Sequence, residues 1–399
     1  MKKEILFALF LFSTVFSLNS NEIIYITFSN DGITTTGEGA VVSGTTVIIE
    51  KSGTYSVKGS TNEGNLIVKA SSVCLYLHDL YLASKTTAPL TINSKLRVQV
   101  INIQNTTLKD LEDDSTTTGE CAVIKIKNLS KVTFENHGVF TLYGDCKNVI
   151  KGEKGASIIF ESSKGEYTIT ANKTAIASDG SLEFYLGKYT IVSKYEDAIK
   201  SSPEDSDTSS LGKIIIYNGE FKIQCYNDAF TAKKNITIVD GKFDIKTENG
   251  YESTTFDYRN QSAAGFKITN NGIGCEIKVY SAEMSLNTAG DAFNSNRDLT
   301  ILKGKYIIYS KDDGVHAGLD LVLGVKDAPN EDLDFKVLYS YEAIEGMTVT
   351  VYSGKIVATA IDDGINASEK DEGSGNQLNP QLGFKRKNII FRKQNMNLR

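Results

Sequence analysis

Residues 212–230 read GKIIIYNGEFKIQCYNDAF, and residues 297–315 read RDLTILKGKYIIYSKDDGV. Each stretch has a short apolar run, a turn at Asn218-Gly219 or Lys303-Gly304, a second run, and then an acidic, a small and an apolar residue. Apolar and polar residues alternate within the runs, and β-branched and aromatic side chains are frequent, as in half-buried β-strands. The two stretches therefore predict a repeated unit of β-structure.

The same template fits residues 181–199, 234–251, 276–293 and 348–365. The apolar residue that closes each unit recurs at Ile124, Ile150, Ile176, Ile199, Phe230, Tyr251, Phe266, Phe293, Val315, Ile344 and Ile365. Several intervals are 21–23 residues, and others lengthen to 26–31 where loops intervene. Tyr251 and Phe266 are only 15 residues apart, so one of them is out of register.

Periods of this length without a helical apolar stripe are typical of a β-solenoid, and the predicted class is all-β with coils of about 21–30 residues. The chain has 33 Gly and 4 Pro. This usage agrees with the prediction, because glycine permits tight turns whereas proline would interrupt hydrogen bonds between coils. A β-sandwich or propeller is the alternative, but it leaves the recurring acidic–small–apolar triplet unexplained.

Composition narrows the function. The chain has 399 residues, 40% of them hydrophobic, which is enough to bury a core. Its net charge of −6 disfavours a nucleic-acid binder. Residues 21–372 alone carry −13, because residues 1–20 carry +1 and the tail 373–399 carries +6. No GxSxG motif and no phosphate-binding glycine loop occurs, so a serine hydrolase or a nucleotide-binding protein is unsupported.

Three histidines and five widely spaced cysteines argue against a zinc enzyme and against a dense disulfide scaffold. The sequence allows one or two disulfides, or buried free thiols, among Cys74, Cys121, Cys146, Cys225 and Cys275.

The N-terminus predicts export. Residues 1–20 combine Lys2 and Lys3 with a short apolar run and small residues, the pattern of a signal peptide, and no stretch is long enough for a membrane span. We therefore expect a secreted, extracellular protein. If the host glycosylates, acceptor triplets begin at Asn105, Asn128, Asn172, Asn235, Asn260 and Asn366.

The acidic position of the unit recurs at Asp197, Asp228, Asp291, Asp313, Glu342 and Asp363, hereafter the acid column. In a solenoid these residues stack roughly 4.8 Å apart, where two like charges repel by about 1 to 3.5 kcal/mol depending on the dielectric. A second acid precedes several of them.

We expect a bound cation, and Ca²⁺ above others, because the ligands are hard carboxylate oxygens without a histidine or thiolate at the same position. The alternative is that each acid only caps its turn. The predicted metal ligands are Asp197, Asp228, Asp291, Asp312, Asp313, Glu342, Asp362 and Asp363.

Several units resemble a secreted family of calcium-binding carbohydrate-binding domains with a pectate-lyase-like parallel β-helix. The resemblance rests on SKYEDAIKS from 193, GDAFNSN from 290, SKDDGVHA from 310, IDDGINA from 361 and the N-terminal stretch 26–59. It spans about residues 24–372 and implies a right-handed single-stranded parallel β-helix, calcium at the aspartate-rich turns, and recognition of acidic pectic polysaccharide. The tail 373–399 departs from the family pattern, and we expect it to be disordered or truncated.

The favoured function is a non-catalytic binder of uronate-containing polysaccharide, possibly polygalacturonate, in which Ca²⁺ bridges protein and sugar carboxylates. The candidate sugar-stacking residues are Tyr195, Tyr226, Tyr251 and Tyr341. One alternative is a polysaccharide lyase, with candidate bases Lys200, Lys233, Lys311 and His316. The other is a cell-surface or matrix protein whose calcium is purely structural.

Overall fold

The computed structural model describes residues 22–112, 122–127, 129–161, 164–203, 211–254 and 263–367, and the backbone of strands at 381–384 and 389–393. These residues contain no α-helix, and their only helical turns are of the 3₁₀ type, at Gly250–Glu252 and Asn330–Asp332. No helix in these ranges is long and apolar enough to cross a membrane. The described chain is all-β, as predicted.

The strands of the first half are β1 (Ile24–Ser29), β2 (Gly32–Thr35), β3 (Ala40–Ser43), β4 (Thr46–Ile49), β5 (Gly53–Thr61), β6 (Asn65–Val68), β7 (Ser72–Ser84), β8 (Leu90–Ile92), β9 (Arg97–Asn102), β10 (Thr106–Asp110), β11 (Ala122–Ile126), β12 (Lys131–Asn136), β13 (Val139–Gly144), β14 (Asn148–Gly152), β15 (Ser157–Phe160), β16 (Glu166–Ala171), β17 (Ile176–Ser178), β18 (Ser181–Phe184) and β19 (Lys188–Ser193).

The strands of the second half are β20 (Ile199–Ser201), β21 (Lys213–Ile216), β22 (Glu220–Cys225), β23 (Phe230–Ala232), β24 (Asn235–Ile238), β25 (Lys242–Thr247), β26 (Phe266–Ile268), β27 (Glu276–Val279), β28 (Glu283–Thr288), β29 (Phe293–Ser295), β30 (Asp298–Ile301), β31 (Gly304–Ser310), β32 (Val315–Leu323), β33 (Leu333–Tyr339), β34 (Ile344–Val351), β35 (Lys355–Ala360), β36 (Asn366–Ala367), β37 (Gln381–Phe384) and β38 (Ile389–Lys393).

Parallel pairing between strands three apart in sequence order arranges most of the chain as a β-helix with three faces. One face, the short-strand sheet, runs from β8 through β11, β14, β17, β20, β23, β26 and β29 to the start of β32. The long-strand sheet runs from β10 through β13, β16, β19, β22, β25, β28 and β31 to β33 and β35. The third sheet contains β9, β12, β15, β18, β21, β24, β27 and β30. The prediction of a β-solenoid is therefore confirmed, and the sandwich and propeller alternatives are excluded.

Both ends of the described stack depart from the simple coil. At the N-terminal end β1–β2 and β3–β4 pair antiparallel, the only such pairs in the described ranges. At the other end β37 pairs parallel with β34, and β38 pairs parallel with β35. The tail was expected to lack a solenoid pattern, but these two short runs extend the stacks. Their physical basis is the brief apolar segments at 382–384 and 389–391, which are long enough for a strand.

The inward side chains form ladders along the axis, as the closing apolar residues predict. Phe230, Phe266 and Phe293 stack with ring centroids 4.9 and 5.0 Å apart on consecutive coils. A second ladder places Tyr189 4.7 Å from Phe221. The rings are nearly parallel and lie at the spacing of adjacent strands, so these ladders help to align each coil with the next.

The register of the short-strand sheet also shows whether Tyr251 or Phe266 closes its coil. Phe230 pairs with Phe266, and Phe266 pairs with Phe293. Tyr251 is therefore the residue out of register. It lies instead in a long insertion between β25 and β26, within the 3₁₀ turn Gly250–Glu252.

The cysteines take mixed roles. Cys146 is disulfide-bonded, whereas Cys74, Cys225 and Cys275 are free thiols, and the last two are buried. The predicted signal peptide lies outside the described residues.

Candidate functional site

The acid column lies at the turn that leads from the long-strand sheet to the short-strand sheet. At this turn the side chain of one coil accepts a hydrogen bond from the backbone of the next. The Asp228 N–H donates to Asp197 Oδ1 at 3.2 Å, and the Asp313 N–H donates to Asp291 Oδ1 at 2.9 Å. The Glu342 N–H donates to Asp313 Oδ1 at 3.3 Å. Stacking of these acids on successive coils is therefore present in the structure.

The column is interrupted once. Ala264 occupies the acidic position in the coil between Asp228 and Asp291: its N–H donates to Asp228 Oδ1 at 2.8 Å, and the Gly265 N–H donates to the Asp291 carbonyl. This coil is the one that carries the insertion with Tyr251. The interruption divides the column into an N-terminal pair, Asp197 and Asp228, and a C-terminal group that begins at Asp291.

Protein cations neutralise the N-terminal pair. Asp197 Oδ2 lies 2.8 Å from Lys200 Nζ, and Asp228 Oδ2 lies 3.7 Å from Lys267 Nζ. The Thr231 hydroxyl also donates to Asp228 Oδ2 at 3.2 Å. Burial raises the pKa of Asp228, and the charge of Lys267 opposes this shift. Each of the two carboxylates is thus paired with a lysine, so an added cation would stabilise them less than it would stabilise an unpaired carboxylate.

The C-terminal group is different. It contains a group of three acids, hereafter the acid cluster, formed by Asp291, Asp312 and Asp313. Each side chain offers one carboxylate oxygen, and these three oxygen atoms lie within 4.8 Å of one another. Burial raises the pKa of each carboxyl group, and their mutual repulsion raises those of Asp312 and Asp313 further. Within the described residues the Asp312 carboxylate accepts no hydrogen bond. The nearby charges of His316 and Lys267 oppose the rise in pKa at Asp291, and that of His316 opposes it at Asp312.

His316 is the partner that the sequence prediction omitted. Its Nδ1 lies 3.4 Å from Asp313 Oδ2 and is hydrogen-bonded to Glu345. Burial lowers the pKa of His316, but the hydrogen bonds to Asp313 and Glu345 outweigh burial and raise it to about 10. No histidine occupies the acidic position of the repeat itself, but His316, three positions after Asp313, reaches the acids from the adjacent short strand. The spacing Asp313-x-x-His316 in the sequence could have indicated this contact.

The remaining predicted ligands lie further along the column. The Glu342 carboxylate accepts a hydrogen bond from Asn366 Nδ2 at 3.0 Å, and burial raises its pKa. Asp362 and Asp363 are exposed on the following coil. The structure therefore groups three of the eight predicted ligands tightly and leaves the others paired or exposed.

Hard-cation binding at the acid cluster agrees with its donor set. All three side chains present carboxylate oxygens, the ligand type that Ca²⁺ prefers, and Asp312 is free of competing hydrogen bonds in the described part of the chain. The second group of potential ligands, Asp313, His316 and Glu345, is already held together by hydrogen bonds to the histidine. The acid cluster fits a calcium ion better than the histidine group does.

The four predicted sugar-binding tyrosines occupy different surroundings. Tyr195 and Tyr226 are 65% and 49% exposed beside Asp197 and Asp228, and Tyr341 is 43% exposed beside Glu342. These three make no ring contact with another aromatic residue in the described ranges. Tyr251 differs, because its ring centroid lies 5.4 Å from that of Tyr309 and 4.8 Å from that of Tyr339. No pattern in the sequence indicated this grouping of three tyrosines.

The candidate catalytic bases all act as donors. Lys200 is paired with Asp197, and although burial lowers its pKa, that carboxylate raises it overall. Lys233 Nζ donates to the Pro203 carbonyl at 3.2 Å, and Lys311 Nζ donates to the Ser253 carbonyl. His316 holds its proton between two carboxylates. A catalytic base must accept a proton from the substrate, and a side chain that already donates to a carbonyl or carboxylate group is poorly placed to do so.

A shallow groove of about 520 Å³ lies on the long-strand sheet and is lined by Lys188, Glu220, Lys242, Glu283, Lys305 and Asp334, among others. Its lining holds five lysines and four acidic residues, so its net charge is only about +1. The acid cluster is the stronger candidate for recognition of a charged ligand.

Comparisons with known proteins agree with this architecture. A family model described as "Carbohydrate-binding domain-containing protein" matches residues 43–314. Among curated proteins no sequence match was found. A solved structure described as the polysaccharide lyase-like protein from C. thermocellum, in a gadolinium derivative, superposes with a TM-score of 0.51 and 19% sequence identity. The superposition covers 65% of this chain and 97% of that chain, and it supports the fold.

The family match covers more than half of the chain and contains Asp291, Asp312, Asp313 and the whole insertion with Tyr251. The chain therefore belongs to the family of carbohydrate-binding domain-containing proteins.

Proposed function

We propose that this protein is a secreted, non-catalytic binder of acidic polysaccharide that depends on calcium at the acid cluster. The observation that carries the proposal is the convergence of three carboxylate oxygens within 4.8 Å of one another in a chain of a carbohydrate-binding family. Secretion is supported by the leader-like pattern of residues 1–20.

The proposed role of calcium follows from the negative charge of both the protein surface and the polymer. A negative protein surface repels a uronate polymer, so direct contact between the two is unfavourable. A bound Ca²⁺ supplies positive charge that protein and sugar carboxylates can share, since this ion accepts six to eight oxygen ligands. Asp291, Asp312 and Asp313 would hold the ion from the protein side. The stacked backbone hydrogen bonds of Asp291 and Asp313 fix these two side chains in place before a ligand arrives.

A non-catalytic role is supported by the surroundings of the candidate bases. Each of the four is engaged as a donor, three of them by backbone or carboxylate groups within hydrogen-bonding distance. Abstraction of a sugar proton requires a base with a free lone pair.

Titration calorimetry with polygalacturonate tests the proposal. We expect binding in calcium, loss of binding after chelation, and at least tenfold weaker binding by Asp312→Asn. Asp312→Asn is suitable because the carboxylate makes no hydrogen bond in the described ranges that the fold would lose. The matched control is Asp320→Asn, which removes an exposed acid on the neighbouring strand β32 and should bind as the wild type does.

Three results would contradict the proposal. Binding that persists in chelator removes the role of calcium. A rise in ultraviolet absorbance from unsaturated uronate ends would show a lyase. A calcium-dependent melting temperature without any glycan binding would show that the ion is structural only.

A further inference from the structure

The insertion that follows β25 lies over later coils instead of within its own. The backbone N–H of Tyr251 donates to Asn287 Oδ1 on the next coil at 2.9 Å. Two residues later the Ser253 carbonyl accepts a hydrogen bond from Lys311, one coil further along. Ser253 is buried, and its hydroxyl donates to Glu248 Oε1 at 2.8 Å. The start of the insertion is thus attached to two successive coils and points along the axis.

This attachment brings Tyr251 against Tyr309 and Tyr339, and we refer to the three residues as the tyrosine cluster. Tyr309 and Tyr339 are register partners on β31 and β33. The Tyr251 ring lies 5.4 Å from the first and 4.8 Å from the second, tilted by 31° and 48°. All three side chains are partly exposed. Three residues from separate coils therefore form one aromatic surface that remains open to solvent.

The tyrosine cluster adjoins the acid cluster. Only Ser310 and Lys311 separate Tyr309 from Asp312, and the Asp312 carbonyl accepts the N–H of Tyr341, two residues after Tyr339. Lys311, which lies between the two clusters in sequence, is the residue that holds the insertion. One turn, residues 309–313, thus carries both an aromatic surface and a group of carboxylates.

We propose that the tyrosine cluster is a stacking subsite for the pyranose ring adjacent to the uronate held at the acid cluster. This inference rests on the proposed function. The apolar C–H face of a pyranose packs against an aromatic ring. The Tyr251 hydroxyl donates to Glu252 Oε1 at 3.3 Å, and its oxygen can still accept a hydrogen bond from a sugar hydroxyl. The chain has no tryptophan, so tyrosine and phenylalanine are its only large aromatic residues, and the phenylalanine ladders are internal.

A purely structural role for Tyr251 makes a different prediction. If its ring only clamped the insertion, its removal would lower the melting temperature and leave sugar affinity unchanged. The insertion has other attachments, through Tyr251 N–H and the Ser253 carbonyl, that do not involve the ring. Removal of the ring should therefore leave the backbone path in place.

The test is calorimetry of the full chain with polygalacturonate at saturating calcium, together with a separate titration of calcium alone. We expect Tyr251→Ala to lower polymer affinity about tenfold, the loss of one aromatic contact, with calcium affinity unchanged. Tyr251→Phe should stay within about twofold of wild type, because the ring is retained. Tyr280→Ala is the matched control: this tyrosine is 44% exposed on the third sheet, away from both clusters.

The outcomes separate the two proposals. Wild-type binding with an unchanged affinity in Tyr251→Ala overturns the stacking subsite and leaves the proposed function standing. Equal losses in Tyr251→Ala and Tyr280→Ala overturn the subsite as well, since the effect would then not be specific to the cluster. If the wild type itself binds no polygalacturonate in calcium, the proposed function fails, and the subsite fails with it.

Discussion

Asp110, at the end of β10, is a carboxylate in an unusual position. It is completely buried, its Oδ1 accepts the Glu112 N–H at 2.9 Å, and its Oδ2 has no hydrogen-bond partner in the described part of the chain. Burial raises its pKa from 3.8 to about 7, although the hydrogen bond from Glu112 lowers it. Because the folded-state pKa exceeds the unfolded one, this group lowers the free energy of unfolding as pH rises from about 4 to about 7.

We predict that Asp110→Asn is more stable than the wild type above about pH 7, by on the order of 1–3 kcal/mol, and that the difference vanishes near pH 4. Urea denaturation at a series of pH values measures this. Asp320→Asn, an exposed acid, serves as the control and should show no such trend. A stability difference for Asp110→Asn that does not change with pH would contradict the assignment of a protonated carboxyl group.

At several acids of the column, the residue three positions later contacts the acid. Asp197 is followed by Lys200, Asp291 by Asn294 and Asp313 by His316, and each pair is in contact. The repeat in the sequence predicted the acid positions because backbone register fixes them. The compensation was not predicted, because it depends on which side chain the next outward position carries and on neighbours from other coils, such as Lys267 beside Asp228.

The long-strand sheet carries a second regular feature on its outer face. At one register position the charge alternates on eight successive strands, through Glu166, Lys188, Glu220, Lys242, Glu283, Lys305, Asp334 and Lys355. Lys188 lies 3.8 Å from Glu166, and Lys242 lies 3.8 Å from Glu283. Each of the six inner members of the column has two neighbours of opposite sign, so the column favours the observed register over a slip along the strand.

We predict that Lys242→Glu, which creates a run of three acids, destabilises the fold by roughly 0.5–2 kcal/mol, and that Lys242→Gln costs about half as much or less. High salt should reduce the difference between the two variants, because these side chains are exposed and screened. Urea midpoints at low and high salt give the comparison. Equal stabilities of the two variants at low salt would show that the alternation contributes nothing.

Parallel stacking was predictable from the sequence, because closing apolar residues such as Phe230 and Phe293 recur at a fixed position. The insertion was not, since Tyr251 imitates a closing residue in spacing and in apolar character. Only the ladder of rings, with Phe266 between Phe230 and Phe293, shows which aromatic residue is internal. The strands of the tail were not predicted either. The apolar runs at 382–384 and 389–391 are too short to indicate a repeat in the sequence, yet β37 and β38 pair with strands of the existing sheets.

For the solenoid as a whole, the charge of −13 on residues 21–372 and the proposed calcium site lead to a prediction about thermal stability. We predict that calcium raises the melting temperature, by mass action on the folded state, and that Asp312→Asn reduces this rise while Asp320→Asn does not. Thermal denaturation followed by circular dichroism, in calcium and in chelator, measures the shift. If sodium chloride of the same ionic strength raises the melting temperature equally, screening and not a bound ion is responsible.

The interruption at Ala264 has an electrostatic consequence. It places Asp228 and Asp291 two coil spacings apart, about 9.6 Å, instead of one. Asp197 and Asp228 therefore do not contact the acid cluster directly, and the two parts of the column are linked through Lys267, whose charge opposes the rise that burial causes in the pKa of both Asp228 and Asp291. Occupation of the acid cluster would follow a single-site isotherm, without the cooperativity that an unbroken column of carboxylates would transmit from coil to coil.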